Sequence, residues 1–332
     1  MAVEATAYAR AGLIGNPSDG YFGKTISVTI CNFCAKVSLY ESPQLEIIPN
    51  VQDRSVYGGL RELVDDVKAY GYYGGIRLMK ATIRRFVEYC DAQGITLPAR
   101  NFSIRYRSTI PRHVGLAGSS ALVTAAIRCL IEFYEVDIPM PELPNLILSV
   151  ETQELGISAG LQDRVIQVYG GCVYMDFAKE LMESRGHGNY RPINPSLLPN
   201  LFLAYRTDFS EGSEVFHNPI RRRWLDGDAE IVQAMQDFAG YAEAVRELLE
   251  TGRGAEIGPW LDRNFDRRQS ISVLNPKDVE MIERSRAAGA HCKYAGSGGA
   301  IIGTYPDEAT YDRLVETFEN SNVIVLKPRI LP

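Results

Sequence analysis

The sequence contains no apolar run long enough to cross a membrane. Its most apolar stretch, residues 121–134, is interrupted by Arg128 and Glu132, whereas a membrane-spanning helix needs about 20 consecutive apolar residues. An apolar segment of the kind that forms a secretory signal is also missing ahead of Arg10. We therefore expect a protein that has no membrane partner.

Positive charge is also in short supply. The 332 residues include 35 Lys and Arg against 41 Asp and Glu, which gives a formal net charge of -6. A broad basic surface is therefore not expected, and we predict no nucleic-acid partner. A small anionic ligand is still compatible with this composition, because a few cations and backbone amides can bind a phosphate inside an acidic protein.

Cysteine and histidine are too scattered to suggest a metal cluster. The lone C-x-x-C motif, Cys31–Cys34, has no second pair or histidine cluster nearby, so a structural zinc site is not expected. Most of the six cysteines lie inside apolar runs, as buried free thiols do. We interpret the chain as a reduced, cytoplasmic protein.

The apolar pattern mixes strand and helix periods without strict alternation of the two, which indicates an α+β fold. Residues 26–30 and 37–40 alternate like strands, and the short link between them predicts a hairpin. The segment Arg221–Trp224 is predicted to be a basic loop. The other predicted helices and strands are helices at 76–93, 119–134, 144–155, 161–170, 229–250 and 307–319, and strands at 102–107, 172–177, 201–205, 292–295, 300–304 and 323–326.

A change in composition predicts where the chain divides. Residues 182–200 are rich in Gly, Pro and Asn, so we expect two domains, 1–197 and 198–332. Within the first, the helix that begins at residues 119–120 has only Thr124, Arg128 and Glu132 as polar positions, each four apart. Such a narrow polar stripe predicts a deeply buried helix.

The triplet Gly23-Lys24-Thr25 ends like the P-loop that holds nucleotide phosphates. A P-loop needs a glycine at position 18, which is Ser18, and it must open a helix. The residues after Lys24 alternate like a strand instead. A P-loop is therefore not expected here.

Two other glycine-rich segments are better candidates for phosphate contact. Gly115–Ser120 lies between a predicted strand and a predicted helix, where backbone N–H groups and the positive end of the helix dipole suit an anion. An ordinary helix cap after a glycine turn explains this segment equally well. Gly296–Gly299 joins two apolar strands and is either a tight turn or a point of close approach by a ligand or backbone.

Two acidic residues stand out against their surroundings. Glu151 adjoins the apolar run 146–150, where a carboxylate needs a partner, and a metal ion is one option. Asp163 follows twelve positions later, before the apolar pair Val165 and Ile166. Taken alone, each is more often a salt-bridge or capping residue than a catalytic one.

Together these segments resemble the GHMP kinase superfamily, which includes galactokinase, homoserine kinase and mevalonate kinase. Three signatures occur in order: Ala9–Asp19, the glycine–serine loop at 115–121, and Lys293–Ala300. In the first, Asn16 and Pro17 replace the Glu and His of the usual G-E-H-x-D pattern, and the loop at 115–121 has one residue more than usual.

The sugar-kinase branch of the superfamily is the most similar. The interval from Glu151 to Asp163 resembles that branch, which carries an acid followed by a G-x-Q-D element. The sequence looks more like the plant-type glucuronokinases than like galactokinase or mevalonate kinase in six segments: 12–19, 114–120, 159–164, 223–228, 263–266 and 296–299.

This resemblance implies a two-domain fold, with an N-terminal domain like domain 2 of ribosomal protein S5 and a ferredoxin-like C-terminal domain. It implies phosphoryl transfer from ATP, with Mg²⁺, to the anomeric hydroxyl of a uronic acid, so the partners are a sugar acid and ATP. The implied ATP-binding residues are Gly115, Leu116, Ala117, Gly118, Ser119, Ser120 and Ala121.

The resemblance also implies roles for individual side chains. Asp163 orients and deprotonates the sugar hydroxyl, and its neighbour Arg10 steadies the transferring phosphoryl group and the charge of Asp163. Ser120 and Glu151 hold the Mg²⁺ ion. The sugar contacts are implied to be Asp19, Asp163, Gly296, Ser297 and Gly298.

Several points stay open at this level. The cation for the substrate carboxylate is one of Arg112, Lys24, Arg221 and Arg223, and residues 57–75 are a candidate wall of the adenine pocket. Galacturonate, a heptose 7-phosphate and galactose are alternative substrates, and a catalytically silent sugar sensor is an alternative function. A dinucleotide-binding dehydrogenase is not expected, because no G-x-G-x-x-G opens a helix after an early strand.

Overall fold

The computed structural model describes residues 1–50, 53, 59–61, 63–64, 74–208 and 214–331. Two antiparallel-rich sheets, each covered by helices, make up this part of the chain. The α+β class predicted from the mixed periods is therefore confirmed. The two sheets are built from strands on either side of residues 197 and 198, where the domain boundary was placed, and that boundary stays a prediction.

The first sheet is organised around one long central strand. Its strands are β1 (Ala2–Ile14), β2 (Lys24–Ser42), β3 (Glu46–Ile47), β4 (Asn101–Ser108), β5 (Cys172–Asp176) and β6 (Asn189–Ile193). The order is β3-β4-β2-β5-β6, and β1 pairs with β2. Strand β2 has 19 residues and pairs with β1, β4 and β5.

The hairpin predicted between residues 26–30 and 37–40 is wrong, because both runs belong to β2. Where the alternation breaks, the pairing with β1 jumps from Tyr8 opposite Cys34 to Ala9 opposite Ile30. The extra residues form a bulge, which bends a strand without ending it. The Cys31 N–H donates to the Arg329 carbonyl at 2.7 Å, so the C-terminal segment satisfies backbone that the bulge leaves unpaired.

Helices from the same part of the chain accompany this sheet. They are α1 (Gly75–Ala92), α2 (Gly118–Tyr134), α3 (Leu143–Ser149) with a π-helical continuation (Val150–Glu154), α4 (Gln162–Tyr169) and α5 (Lys179–Arg185). Helix α2 packs on β1 and β2, and its predicted deep burial is confirmed. Within its polar stripe, Arg128 donates at 2.7 Å to the carbonyls of Thr6 and Gln167.

The second sheet has the strand order β10-β7-β9-β8, with every pair antiparallel. Its strands are β7 (Leu201–Arg206), β8 (His291–Tyr294), β9 (Ala300–Thr304) and β10 (Val323–Leu326). The helices are α6 (Glu214–Leu225), α7 (Ala229–Glu250), α8 (Gly258–Ile271), α9 (Pro276–Ala287) and α10 (Glu308–Phe318). Counted along the chain, the strand order is 4-1-3-2 with helical crossovers, which is the ferredoxin-like arrangement that the resemblance implied.

The basic loop predicted at Arg221–Trp224 is also wrong, because these residues lie in α6. Ile220 and Trp224, four positions apart, share one face of the helix and pack into an apolar cluster with Tyr21. The arginines between them occupy the other faces of the same turn. Three consecutive charges concealed the underlying helical period.

The end of β1 joins the two sheets. The Gly12 N–H donates to the Ala295 carbonyl at 2.7 Å, and the Arg10 N–H donates to the Leu116 carbonyl at 3.3 Å. The end of β1, the loop before α2 and the turn between β8 and β9 therefore meet at one place.

In the described part of the chain, none of the helices combines the length and the apolarity that a membrane span requires.

Candidate active site

The loop before α2 presents a helix N-terminus without a side-chain cap. Gly115 and Ala117 both take left-handed backbone conformations, with φ of 66° and 61°, and no side chain bonds to the first turn. The Ser120 hydroxyl instead donates to the Ala117 carbonyl at 3.2 Å. A left-handed alanine carries strain that a simple cap does not need. The N–H groups of the first turn therefore form a cradle suited to an anion.

The two glycine loops pack directly against each other. A Cβ atom on Gly296 would lie 2.2 Å from the Gly115 carbonyl oxygen, and one on Gly115 would lie 2.8 Å from the Gly298 carbonyl oxygen. Both contacts are too short for any side chain. The turn Gly296–Gly299 is thus a point of close backbone approach, one of the alternatives left open by the sequence. Ser297 and Gly298 border Gly115 in the loop before α2.

Arg10 and Asp163 form a direct ion pair at this junction. Arg10 Nε donates to Asp163 Oδ1 at 2.5 Å, and Arg10 Nη1 donates to the Gly115 and Ala295 carbonyls at 2.7 and 2.9 Å. Burial acts to raise the pKa of Asp163, but Arg10 and Arg164 outweigh it and hold that pKa below the ordinary value. Asp163 is therefore a carboxylate at neutral pH, anchored beside the glycine loops.

Asp19 joins the same group from the 3₁₀ turn Ser18–Tyr21. The Gln162 N–H donates to its Oδ2 at 3.3 Å. A Cβ atom on Gly160 would lie 2.1 Å from that oxygen, so the glycine is required for Asp19 to fit. Burial and the nearby charge of Asp163 raise the pKa of Asp19 to about 6. Two acids with opposite pKa shifts thus share one site.

Glu151 is buried and paired with an arginine. It lies in the π-helical segment, and its carboxylate accepts a hydrogen bond from Arg164, which also lies 3.5 Å from Asp163 Oδ2. Arg164 therefore links Glu151 to the Arg10–Asp163 pair. Among the described residues, no group of three His, Cys, Asp or Glu side chains gathers as a metal site.

Two buried cations near the glycine turn were missed by sequence reasoning. Lys293 is 1% exposed, and its Nζ donates to the Gly12 and Tyr294 carbonyls and to Asn16 Oδ1 at 2.6, 2.7 and 2.5 Å. Arg268 donates at 2.7 Å to the carbonyl of Gly296. Burial, together with the neighbouring arginines, lowers the pKa of Lys293 well below its ordinary value. Two sequence signals pointed to Lys293: it is a lysine in a predicted apolar strand, and it opens the third signature, Lys293–Ala300.

An asparagine on α8 completes the support for the first signature. Asn264 accepts a hydrogen bond from the Gly15 N–H at 2.8 Å and donates to the Asn16 carbonyl at 3.1 Å. Residue 16, which departs from the usual family pattern, is thereby held on both its main chain and its side chain. Segment 263–266, which resembles the plant-type enzymes, thus supplies the asparagine that supports the first signature.

The four cations suggested for the substrate carboxylate have different surroundings. Lys24 pairs with Glu243 and Asp176, and Arg223 pairs with Asp228 and Glu230. Arg112 is exposed beside His113, ahead of the loop that precedes α2. Arg221 is exposed on α6. The candidate adenine wall at 57–75 lies mostly outside the described residues.

Comparison with solved structures identifies the class of fold. The crystal structure of Lactococcus lactis galactokinase complexed with galactose matches with a TM-score of 0.77, covering 99% of this chain and 93% of that chain, at 13% sequence identity. At 13% identity the match shows that the two proteins share a fold.

Comparison of sequences identifies the family. The profile named "GHMP kinases N terminal domain" matches residues 77–171. "Glucuronokinase 1" of Arabidopsis thaliana is 44% identical over 95% of this chain and 88% of its own length. "Probable glucuronokinase 2" of the same plant is 43% identical over 98% of this chain and 90% of its own length. The chain belongs to the GHMP kinase family.

Proposed function

We propose that the protein is an ATP-dependent kinase that phosphorylates the anomeric hydroxyl of D-glucuronate, giving glucuronate 1-phosphate. The observation that carries the substrate is the 44% identity to a plant glucuronokinase over nearly the whole chain. The geometry of the site supports the chemistry independently, since it offers an anion cradle beside an ionised acid.

The phosphates of ATP would occupy the cradle at the start of α2. Phosphoryl transfer depends mainly on positioning and on neutralising charge. Within the proposed segment 115–121, the N–H groups ahead of Ala121 would supply the first requirement, because the Ala121 N–H donates to the Ala117 carbonyl at 3.1 Å. Arg10 supplies the second, because its guanidinium lies between the Gly115 carbonyl and Asp163 and is thus close to both the donor and the acceptor.

Asp163 would orient the sugar hydroxyl and accept its proton. The lowered pKa keeps it ionised, which also makes it a weak base. Proton transfer therefore follows bond formation to phosphorus in a loose transition state, and the main contribution of Asp163 is orientation. Asp19, with the borders of the glycine turn at Gly296, Ser297 and Gly298, would contact the remaining sugar hydroxyls.

Ser120 and Glu151 would hold Mg²⁺. This ion takes oxygen ligands, with one or two from the protein and the others from phosphates and water. A hydroxyl and a carboxylate are donors of this kind, and the arginine that pairs with Glu151, Arg164, also lies 3.5 Å from Asp163 Oδ2. When bound, Mg²⁺ neutralises charge on the ATP phosphates.

We also propose that the enzyme works in the cytoplasm. All six cysteines are free thiols in the structure. Four of them are buried, where they behave as small apolar side chains. A reducing compartment preserves this state.

A substrate panel tests the proposed activity. Purified protein with ATP and Mg²⁺ should phosphorylate glucuronate far better than galacturonate, galactose or a heptose 7-phosphate. Asp163→Ala should lower kcat by at least about 1,000-fold with little change in ATP affinity, since the acid acts on the acceptor. ADP release measures the first result, and titration with a fluorescent ATP analogue measures the second.

The control variant is Asp91→Asn, at an exposed position near the end of α1, and it should match the wild type. Turnover of a neutral sugar in place of glucuronate would refute the substrate. Asp163→Ala turnover within tenfold of the wild type would remove Asp163 from its role.

A further inference from the structure

A sugar acid brings a negative charge into a site that already contains Asp19 and Asp163. Its carboxylate therefore needs a cation placed away from the reacting end. Lys24 and Arg223 are each engaged by two acids. Arg112 is exposed beside His113, ahead of the loop that would hold the ATP phosphates. Of the four candidate cations, Arg221 is the one on the helix flank that faces the turn carrying Asp19.

Helix α6 places its arginines on different faces. Ile220 is buried and Trp224 packs edge-on against the Tyr21 ring, with centroids 5.4 Å apart. Successive residues turn by about 100° around a helix, so Arg221 and Arg223 lie on opposite flanks of this packed face, and Arg222 points outward. The flank of Arg223 meets the start of α7, with Asp228 at 2.7 Å.

The flank of Arg221 faces the turn that carries Asp19. The Tyr21 hydroxyl lies within electrostatic range of Arg221, Asp19 and the buried Arg268. Burial raises the pKa of Tyr21 to about 12, so this hydroxyl stays protonated and can donate a hydrogen bond. Among the described residues, Arg221 forms no ion pair. The Arg221 guanidinium and the Tyr21 hydroxyl thus lie on the side where the sugar would bind, and both can donate hydrogen bonds to it.

We propose that Arg221 and Tyr21 form the subsite for the substrate carboxylate and select a uronate over a neutral hexose. The inference rests on the proposed function, since it assigns the residues that recognise the charged group of that substrate. Asp19 in the same turn contacts hydroxyls, so one short segment and one helix face distinguish the two ends of the sugar. Substitution of Arg221 should therefore act on sugar binding and leave the ATP side unchanged.

The test compares D-glucuronate with D-glucuronamide, which has the same shape without the charge. Arg221→Ala should raise KM for glucuronate by roughly 10- to 100-fold, with kcat within about threefold, because a charge-assisted hydrogen bond is lost. For glucuronamide the same variant should change kcat/KM by less than about threefold. Arg221→Lys should recover part of the loss, and Tyr21→Phe should raise KM for glucuronate by roughly 3- to 10-fold.

Arg222→Ala is the matched control, since it removes the same charge one residue along the same helix, and its KM should stay within about twofold of the wild type. Thermal unfolding of each variant checks the fold. An unchanged glucuronate KM in Arg221→Ala, or equal losses for both sugars, would overturn the inference while leaving the proposed function intact. Failure of the wild type to phosphorylate glucuronate would overturn both.

Discussion

At the scale of single residues, the site depends on two carboxylates with opposite pKa shifts. Asp163 is held ionised by Arg10 and Arg164, whereas Asp19 has its pKa raised to about 6 by burial and by Asp163 itself. The difference follows from which acid has direct contact with a guanidinium. One acid is thus ionised at any physiological pH, and the other titrates just below neutrality.

The raised pKa of Asp19 predicts a pH dependence with a definite sign. Sugar hydroxyls need the ionised form as acceptor, so kcat/KM for the sugar should fall about tenfold per unit as pH drops below about 6. Between pH 4 and 6 the folded state binds more protons at Asp19 than the unfolded state, so this residue makes stability decline as pH rises through that window. Rate profiles from pH 5 to 8 and thermal unfolding from pH 4 to 7 measure the two effects.

Asp19→Asn should remove the fall in kcat/KM below about pH 6 and the decline in stability between pH 4 and 6. Its kcat/KM at pH 7.5 should be roughly 10- to 100-fold lower than that of the wild type. Asp312→Asn, at an exposed position on α10, should reproduce the wild-type profile. An Asp19→Asn enzyme that keeps the wild-type limb near pH 6 would assign that limb to another group.

At the scale of elements, the site is made by the ends of β1 and α2 and by the turn between β8 and β9. The uncapped start of α2 costs helix stability that a serine or aspartate cap would supply, and the left-handed Ala117 adds strain. The two glycine loops interlock so closely that their backbones touch. The uncapped helix start and the strained alanine lower local stability, and they leave backbone N–H groups that face a common point.

This interlock makes Gly296 intolerant of even one methyl group. Gly296→Ala should destabilise the fold by about 1–3 kcal/mol, because the new Cβ atom meets the Gly115 carbonyl and Arg10. It should also lower kcat/KM by about 100-fold, because the loop before α2 is displaced from Arg10. Denaturant unfolding and steady-state kinetics check the two results.

Gly240→Ala provides the matched control. Gly240 lies exposed inside α7, and a Cβ atom there meets nothing within 4 Å. That variant should gain about 0.5–1 kcal/mol in stability with unchanged kinetics. A Gly296→Ala protein as stable and active as the wild type would show that the loops move apart freely.

At the scale of the whole molecule, a buried lysine ties the two sheets together. Lys293 on β8 reaches Gly12 and Asn16, which belong to β1 and the turn after it. The hydrophobic core follows the same path, since Leu13 and Ile302 lie in one continuous cluster. The candidate site is therefore assembled by contacts between the halves of the chain.

Lys293→Met keeps the length of the side chain and removes its three hydrogen bonds. The carbonyl of Gly12 and the amide oxygen of Asn16 would be left buried without a donor, so stability should fall by about 2–4 kcal/mol. Lys179→Met, whose exposed side chain lies 3.6 Å from Glu183, should change stability by less than about 0.5 kcal/mol. Equal unfolding midpoints for the two variants would contradict the structural role of Lys293.

The sequence alone determined the α+β class, the buried helix α2, the order of the three signatures and the family. These features depend on local periodicity and on short motifs, which neighbouring residues specify. The same local logic failed at the β2 bulge and at α6. In the first a broken alternation looked like a turn, and in the second three charges masked the helical period of Ile220 and Trp224.

The tertiary structure decided which groups surround the side chains of the candidate site. Arg10 and Asp163 are separated by 153 positions, and Lys293 and Gly12 by 281, so no local pattern could pair them. The pairing of Glu151 with Arg164, the raised pKa of Asp19 and the flank on which Arg221 lies depend equally on packing. The pKa of a side chain and its hydrogen bonds depend on the groups around it. In this site those groups come from both halves of the chain.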